Sequence, residues 1–210
     1  MSILSDKDIK ECVKTGDIII RPFNEKNLSP SSYDVRLGEF YYKKEFNLNH
    51  NIKWFNPYNQ EQVNKLWILK EAQTVTDDMV ETYKLKKGSK YIIVPPRETI
   101  LAHTIEFIGG VNNITTMMQC RSSYGRSCVT VCKCSGWGDV SFYNRYVMEI
   151  ENCNNISVIL TVGERIAQIV FARTGETEKK YCGSYQHTDD IEQLIKDWKP
   201  EMMLPRLKYD

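Results

Sequence analysis

The chain has 210 residues, with 28 Lys and Arg against 27 Asp and Glu and a formal net charge of +1. That balance supplies no global basic field for nucleic acid, and 41% hydrophobic with 11% aromatic residues is enough for a packed core, which excludes wholesale disorder. The length fits one domain over residues 1–210. No apolar run approaches the roughly eighteen residues of a membrane span, and Met1 to Asp6 shows no secretory pattern.

Ser5 and Asp8 have the spacing of a capping box, and Ile9, Cys12 and Val13 fall on one helical stripe that Gly16 would stop. Residues 18–20 read as a buried strand. Pro30-Ser31-Ser32 reads as a turn, and residues 33–37 alternate as a strand ending at Gly38. Residues 46–87, rich in Asn and Lys with Trp54 and Trp67, read as a strand-and-loop excursion or a short helix, with no function attached. Strand patterns then recur at 91–94, 99–107, 114–119, 129–133, 146–151, 156–161 and 167–171, punctuated by Gly, Pro and Asn. Many short strands with such turns predict a mainly β sandwich or barrel. Asp189-Asp190 opens an amphipathic helix with Ile191, Leu194, Ile195 and Trp198 at helical spacing, closed by Pro200. No internal repeat is visible.

Seven cysteines is an odd number, and the simplest reading is reduced thiols. Cys128, Cys132 and Cys134 share strand parity, which would put them on one face. Their spacing is not C-x-x-C and His is scarce, so buried apolar side chains are the expectation rather than zinc.

The chemistry concentrates in two segments. Arg121-Ser122-Ser123-Tyr124-Gly125-Arg126 offers two guanidinium groups and hydroxyls that can cradle phosphate oxygens; the alternative is an exposed polar turn. In Arg145 to Asn152, Val147, Glu149 and Glu151 alternate against Tyr146, Met148 and Ile150. The pattern does not choose between the two glutamates. If their face is a pocket rather than solvent, burial would raise the pKa of Glu149 and suit it to proton transfer. Gly136 to Phe142 reads as a hairpin in which Asp139 can accept from a sugar hydroxyl and Phe142 or Trp137 can stack on a ring, or as an ordinary Gly-rich hairpin. There is no G-x-x-x-x-G-K-[ST] and no zinc deaminase pattern of H-x-E with P-C-x-x-C.

These segments, with Ile3 to Ile9, Pro30 to Gly38 and Ile166 to Phe171, resemble the dCTP deaminase family of the dUTPase-like trimeric superfamily. Residues 39–98 carry none of its motifs. The resemblance implies a distorted β-barrel or jelly-roll-like fold with short N- and C-terminal helices. It also implies a homotrimer or a dimer of trimers, with sites between neighbouring subunits. The implied reaction is zinc-independent hydrolysis of dCTP to dUTP and ammonia, with Mg²⁺ accompanying the triphosphate. Glu149 would be the general acid and base, Ser122 would fix water or ring, and Arg126 would stabilise developing charge. Arg121 and Ser123 would contact phosphates, Asp139 the deoxyribose, and backbone near Val147 the pyrimidine edge. A flexible segment from about 174 to 210 would close over the nucleotide, with Lys180 and Tyr181 or Tyr185 and Gln186 in the closing register. Inhibition by dTTP and a cytoplasmic setting, of a host cell if the source is viral, follow from the family alone.

The chain departs from the family at several places. Cys134 and Ser135 stand where Thr-Ala is usual, Gly138 where Ile is usual, Ser141 where the first Gly of the aspartate motif is usual, and Asn144 where a later Gly is usual. Ser135 puts a hydroxyl in place of a methyl near the water or the base, which favours a changed water position or a modified cytosine. The leading expectation is a dCTP deaminase. Its alternative is a bifunctional enzyme that carries dUTP on to dUMP and pyrophosphate, favoured by Gly136-Trp137 before Asp139. A third reading, of another class, is a catalytically weak nucleotide sensor.

Overall fold

In the computed structural model, which describes residues 2–45 and 54–209, antiparallel strands form one large sheet. Its order is Val129–Thr130, Tyr143–Asn152, Thr99–Gly110, Ser32–Lys44, Arg165–Arg173, Ile114–Cys120 and Trp137–Gly138. Ser32–Lys44 joins the two halves, pairing with Arg165–Arg173 through its first part and with Thr99–Gly110 through its second. The sheet curls until its ends share one core: Val129, Met148 and Ile150 from one side pack in the same cluster as Ile114, Met118 and Phe171 from the other. A small sheet of Val158–Thr161, Lys90–Val94 and Gln73–Thr74 completes the mainly β fold.

Local chemistry explains the elements. Ser5 and Asp8 form the reciprocal capping box of helix Asp6–Thr15, Ile9 and Cys12 are buried, and Gly16 ends the helix at φ 85°. Gly38 does not end its strand, which runs from Ser32 to Lys44. A Cβ there would overlap the His103 ring, so the glycine admits a buried side chain from the neighbouring strand. Glu106, fully buried on Thr99–Gly110, accepts from Arg36 Nε at 2.6 Å and from the Arg36 backbone N–H at 2.9 Å, which ties the two long strands together.

Further sequence expectations are corrected. The strand at 129–133 stops at Thr130, because Cys128 and Lys133 take positive φ of 56° and 39° and break the extended run. Cys128 and Cys134 are therefore exposed and Cys132 half-buried, rather than packed on one strand face. The strand at 156–161 begins only at Val158, with Ile156 exposed. Gly136 to Phe142 is not a local hairpin: Trp137–Gly138 pairs with Met117 and Thr116 of a distant strand. In the C-terminal helix Ile191–Asp197, capped by Asp190, Leu194 is buried but Ile195 is exposed.

The stretch 46–87 contains both alternatives. Helix Gln60–Leu66 leads into strand Trp67–Glu71, which extends the large sheet, and helix Asp77–Tyr83 follows; residues 46–53 lie outside the described residues. Among the described residues no helix is long and apolar enough to cross a membrane.

Candidate active site

Strand Tyr143–Asn152 carries Tyr146, Met148 and Ile150 inward and Val147, Glu149 and Glu151 outward. Val147 and Glu149 line a cleft of about 620 Å³ with Lys133, Ser135, Trp137 and Asp139. Tyr181, Tyr185, Trp198 and Met202 of the C-terminal segment form its other wall.

Burial pushes the Glu149 carboxyl above the usual carboxylate range, against the opposing effects of a Ser135 hydrogen bond, its own backbone amide and the Lys133 ammonium. Ser135 Oγ donates to Glu149 Oε2 at 2.6 Å. Glu151, which sequence parity left equivalent, forms an ion pair with Lys133 at 3.0 Å and does not line the cleft. Cys132 lies beside this group, and burial with the nearby Glu149 charge pushes its thiol up to about 11, so it stays protonated.

Asp139, Val147, Glu149, Tyr181 and Tyr185 therefore share one cleft. Lys180 lines an adjoining cavity of about 530 Å³ that shares Trp137, Asp139 and Tyr181 with the first. Gln186 lines neither; its Oε1 accepts from the Tyr143 N–H at 2.8 Å and its Nε2 donates to Ser141 O at 3.1 Å, which anchors the C-terminal segment. Phe142 also lines the cleft, and its ring sits tilted against Tyr181, with centroids 5.0 Å apart.

Arg121, Ser122, Ser123 and Arg126 are elsewhere. They form the short helix Ser122–Arg126 and its N-cap, and none lines the Glu149 cleft. Arg121 Nε lies 3.4 Å from the buried Asp34 carboxylate, which Arg165 Nη1 also approaches at 3.2 Å. Ser122, Ser123 and Arg126 are exposed.

Two departures from the motif have packing reasons. A Cβ at Gly138 would overlap the Tyr146 hydroxyl and Thr116 Oγ1, which bond to each other, so the larger inward Tyr146 occupies that space. Asn144 is buried, with Nδ2 donating to Tyr185 O at 2.7 Å and Oδ1 accepting from the Arg145 N–H at 2.8 Å. Motif reading missed Lys133, Lys44 and Trp67 on the cleft wall; strand pairing sets Lys44 beside Trp67 there. Arg145 is stacked between Trp198 at 4.4 Å and Phe107 at 5.1 Å.

A family model described as dCTP deaminase-like matches residues 3–174. The chain belongs to the dCTP deaminase-like family. The match runs through residues 39–98, where no motif was legible. A Methanobrevibacter smithii protein named dCTP deaminase, dUMP-forming, is 32% identical over 213 residues, covering 100% of this chain and 98% of that protein. A Methanosphaera stadtmanae protein of the same name is 34% identical over 183 residues, covering 86% and 84%. The solved 2′-deoxycytidine 5′-triphosphate deaminase of Agrobacterium tumefaciens shares the fold, with a TM-score of 0.58 at 15% identity over 82% of this chain and 48% of that one.

Proposed function

We propose that this dCTP deaminase-like chain hydrolyses dCTP to ammonia and dUTP and carries the dUTP on to dUMP and pyrophosphate. The observation that carries the first step is the Glu149 carboxyl, held in a cleft that raises its pKa. For the product, sequence reading puts release of dUTP first. The relatives' names, dCTP deaminase, dUMP-forming, favour the bifunctional alternative, and Asp139 in the same cleft supplies a second carboxylate.

In the first step water attacks C4 of cytosine and Glu149 takes its proton and passes it to N3. The remaining hydroxyl proton then goes to the amine, the C4–N4 bond breaks, and ammonia leaves a C4 carbonyl. A carboxyl with a raised pKa suits this work, since it must accept and return the same proton. In the second step a water oriented by Asp139 attacks the α-phosphorus, and the bond to the bridging oxygen breaks to release pyrophosphate. Among the described residues no three or more His, Cys, Asp or Glu converge as a metal cage. The family resemblance assigns Mg²⁺ to the triphosphate oxygens, where it would neutralise charge.

Arg121 to Arg126 are assigned to the same site through a neighbouring subunit of a trimer. Their exposure and their separation from the Glu149 cleft support that assignment. Asp34 would hold the Arg121 guanidinium in place.

The test is to incubate the purified protein with dCTP and Mg²⁺ and to resolve products with time. Ammonia and dUMP without accumulated dUTP are expected. Accumulated dUTP would restore the simple deaminase, and binding without product would leave the sensor. Glu149→Gln keeps the shape and removes the base, so deamination should fall by at least about a hundredfold with dCTP binding retained. Retained turnover would refute the assignment of Glu149.

A further inference from the structure

Glu149 must be held in one orientation while it changes protonation state. Its strand fixes the backbone, but a glutamate side chain still rotates about three bonds. Among the described residues Ser135 makes the only side-chain hydrogen bond to it, from Oγ to Oε2 at 2.6 Å. Ser135 is itself fixed: its backbone N–H donates to Cys132 O at 2.9 Å, and its hydroxyl lies 3.2 Å from the same carbonyl.

A hydroxyl has one proton and two lone pairs. When Glu149 is ionised, that proton points at the carboxylate. When Glu149 is protonated, the carboxyl O–H donates to Ser135 Oγ, and the serine proton turns to the Cys132 carbonyl. Both states are satisfied without moving a heavy atom. We propose that Ser135 is a positioning residue that holds Glu149 through both halves of its proton cycle. The proposal rests on the reading of Glu149 as the acid–base group.

The other polar groups nearby do not provide this link. Lys133 is directed at Glu151. Cys132 remains a thiol, and its Sγ lies 3.5 Å from Met118 O. Asp139, Arg145, Lys44 and Tyr181 line the cleft without bonding Glu149. Ser135 itself is exposed, so removing its hydroxyl opens no cavity in the core. Its loss also removes a donor that favours the ionised carboxylate.

The experiment uses the full-length protein with Ser135→Ala, Ser135→Gly and Ser135→Thr, beside Glu149→Gln. Ammonia release from dCTP is followed from about pH 5 to pH 9, and the Glu149 carboxyl is titrated directly by ¹³C NMR. In both hydroxyl-free variants the acid limb of kcat and the NMR titration should move up by about one pH unit, and plateau kcat should fall about tenfold with KM within about twofold. Ser135→Thr keeps the donor and should stay near the unmodified profile. An unmoved limb and titration, or a raised KM with unchanged kcat, would overturn the proposal and leave Ser135 as a loop residue. Turnover surviving in Glu149→Gln would overturn the catalytic reading instead. If the unmodified protein releases no ammonia, the NMR titration alone decides whether Ser135 holds Glu149.

Discussion

His103 shows how one side chain ties the site to stability. It is buried, and its Nδ1–H is assigned as donor to Thr104 O at 2.9 Å, which leaves Nε2 to accept from the Phe40 N–H at 3.3 Å. The bond from Phe40 requires a neutral ring, because a protonated Nε2 cannot accept. Burial, with the Arg145 guanidinium adding to it, lowers its pKa from 6.5 to about 4. The unfolded chain therefore binds this proton first as pH falls. The contribution is complete above about pH 6.5 and is lost towards pH 4, a change of about 3 kcal/mol. Asp34 and Glu149, whose carboxyls burial pushes up, act in the opposite sense. The check is therefore a difference: urea midpoints of the protein and of His103→Gln, taken across that range, should converge as pH falls. Parallel curves would show that His103 does not carry the effect.

The C-terminal segment is the element that builds one wall of the cleft. Leu194 is fully buried against Phe107 and Tyr143, Trp198 lies on His103 and Arg145, and Met203 and Leu204 pack with Tyr42 and Leu101. Asn144 and Gln186 supply the polar ties. Leu194→Ala should weaken this docking by about 2–5 kcal/mol, and limited proteolysis should then cut after residue 183 well before the sheet is attacked. Cleavage as slow as in the unmodified protein would show that the polar ties suffice. The helix was legible because Asp190 caps it and Leu194 repeats at helical spacing. Its docking surface was not, because Phe107 and Tyr143 come from two different strands.

For the whole molecule, the proposed trimer makes its own prediction. A cyclic assembly with a head-to-tail interface would bring one copy's Arg126 to another's Glu149, so two defective chains would complement each other. Glu149→Gln and Arg126→Ala should each be inactive alone. Their co-assembled trimers should recover roughly a quarter of full activity, because random mixing gives that share of sites with both native residues. No recovery from verified mixed assemblies would place both residues' contributions within one chain.

The sequence by itself determined the features that depend on near neighbours in the chain. The capping box of Ser5 and Asp8, the alternation from Arg145 to Asn152 and the R-S-S-Y-G-R motif are local, and they were enough for the mainly β class and for the family resemblance. Tertiary structure decided what depends on distant partners. It paired Trp137–Gly138 with Ile114–Cys120, set half-buried Glu149 in the cleft while giving Glu151 to Lys133, and set Ser135 against the carboxylate. Strand parity says which residues share a face, but only the elements packed over that face decide whether it meets water or a cleft.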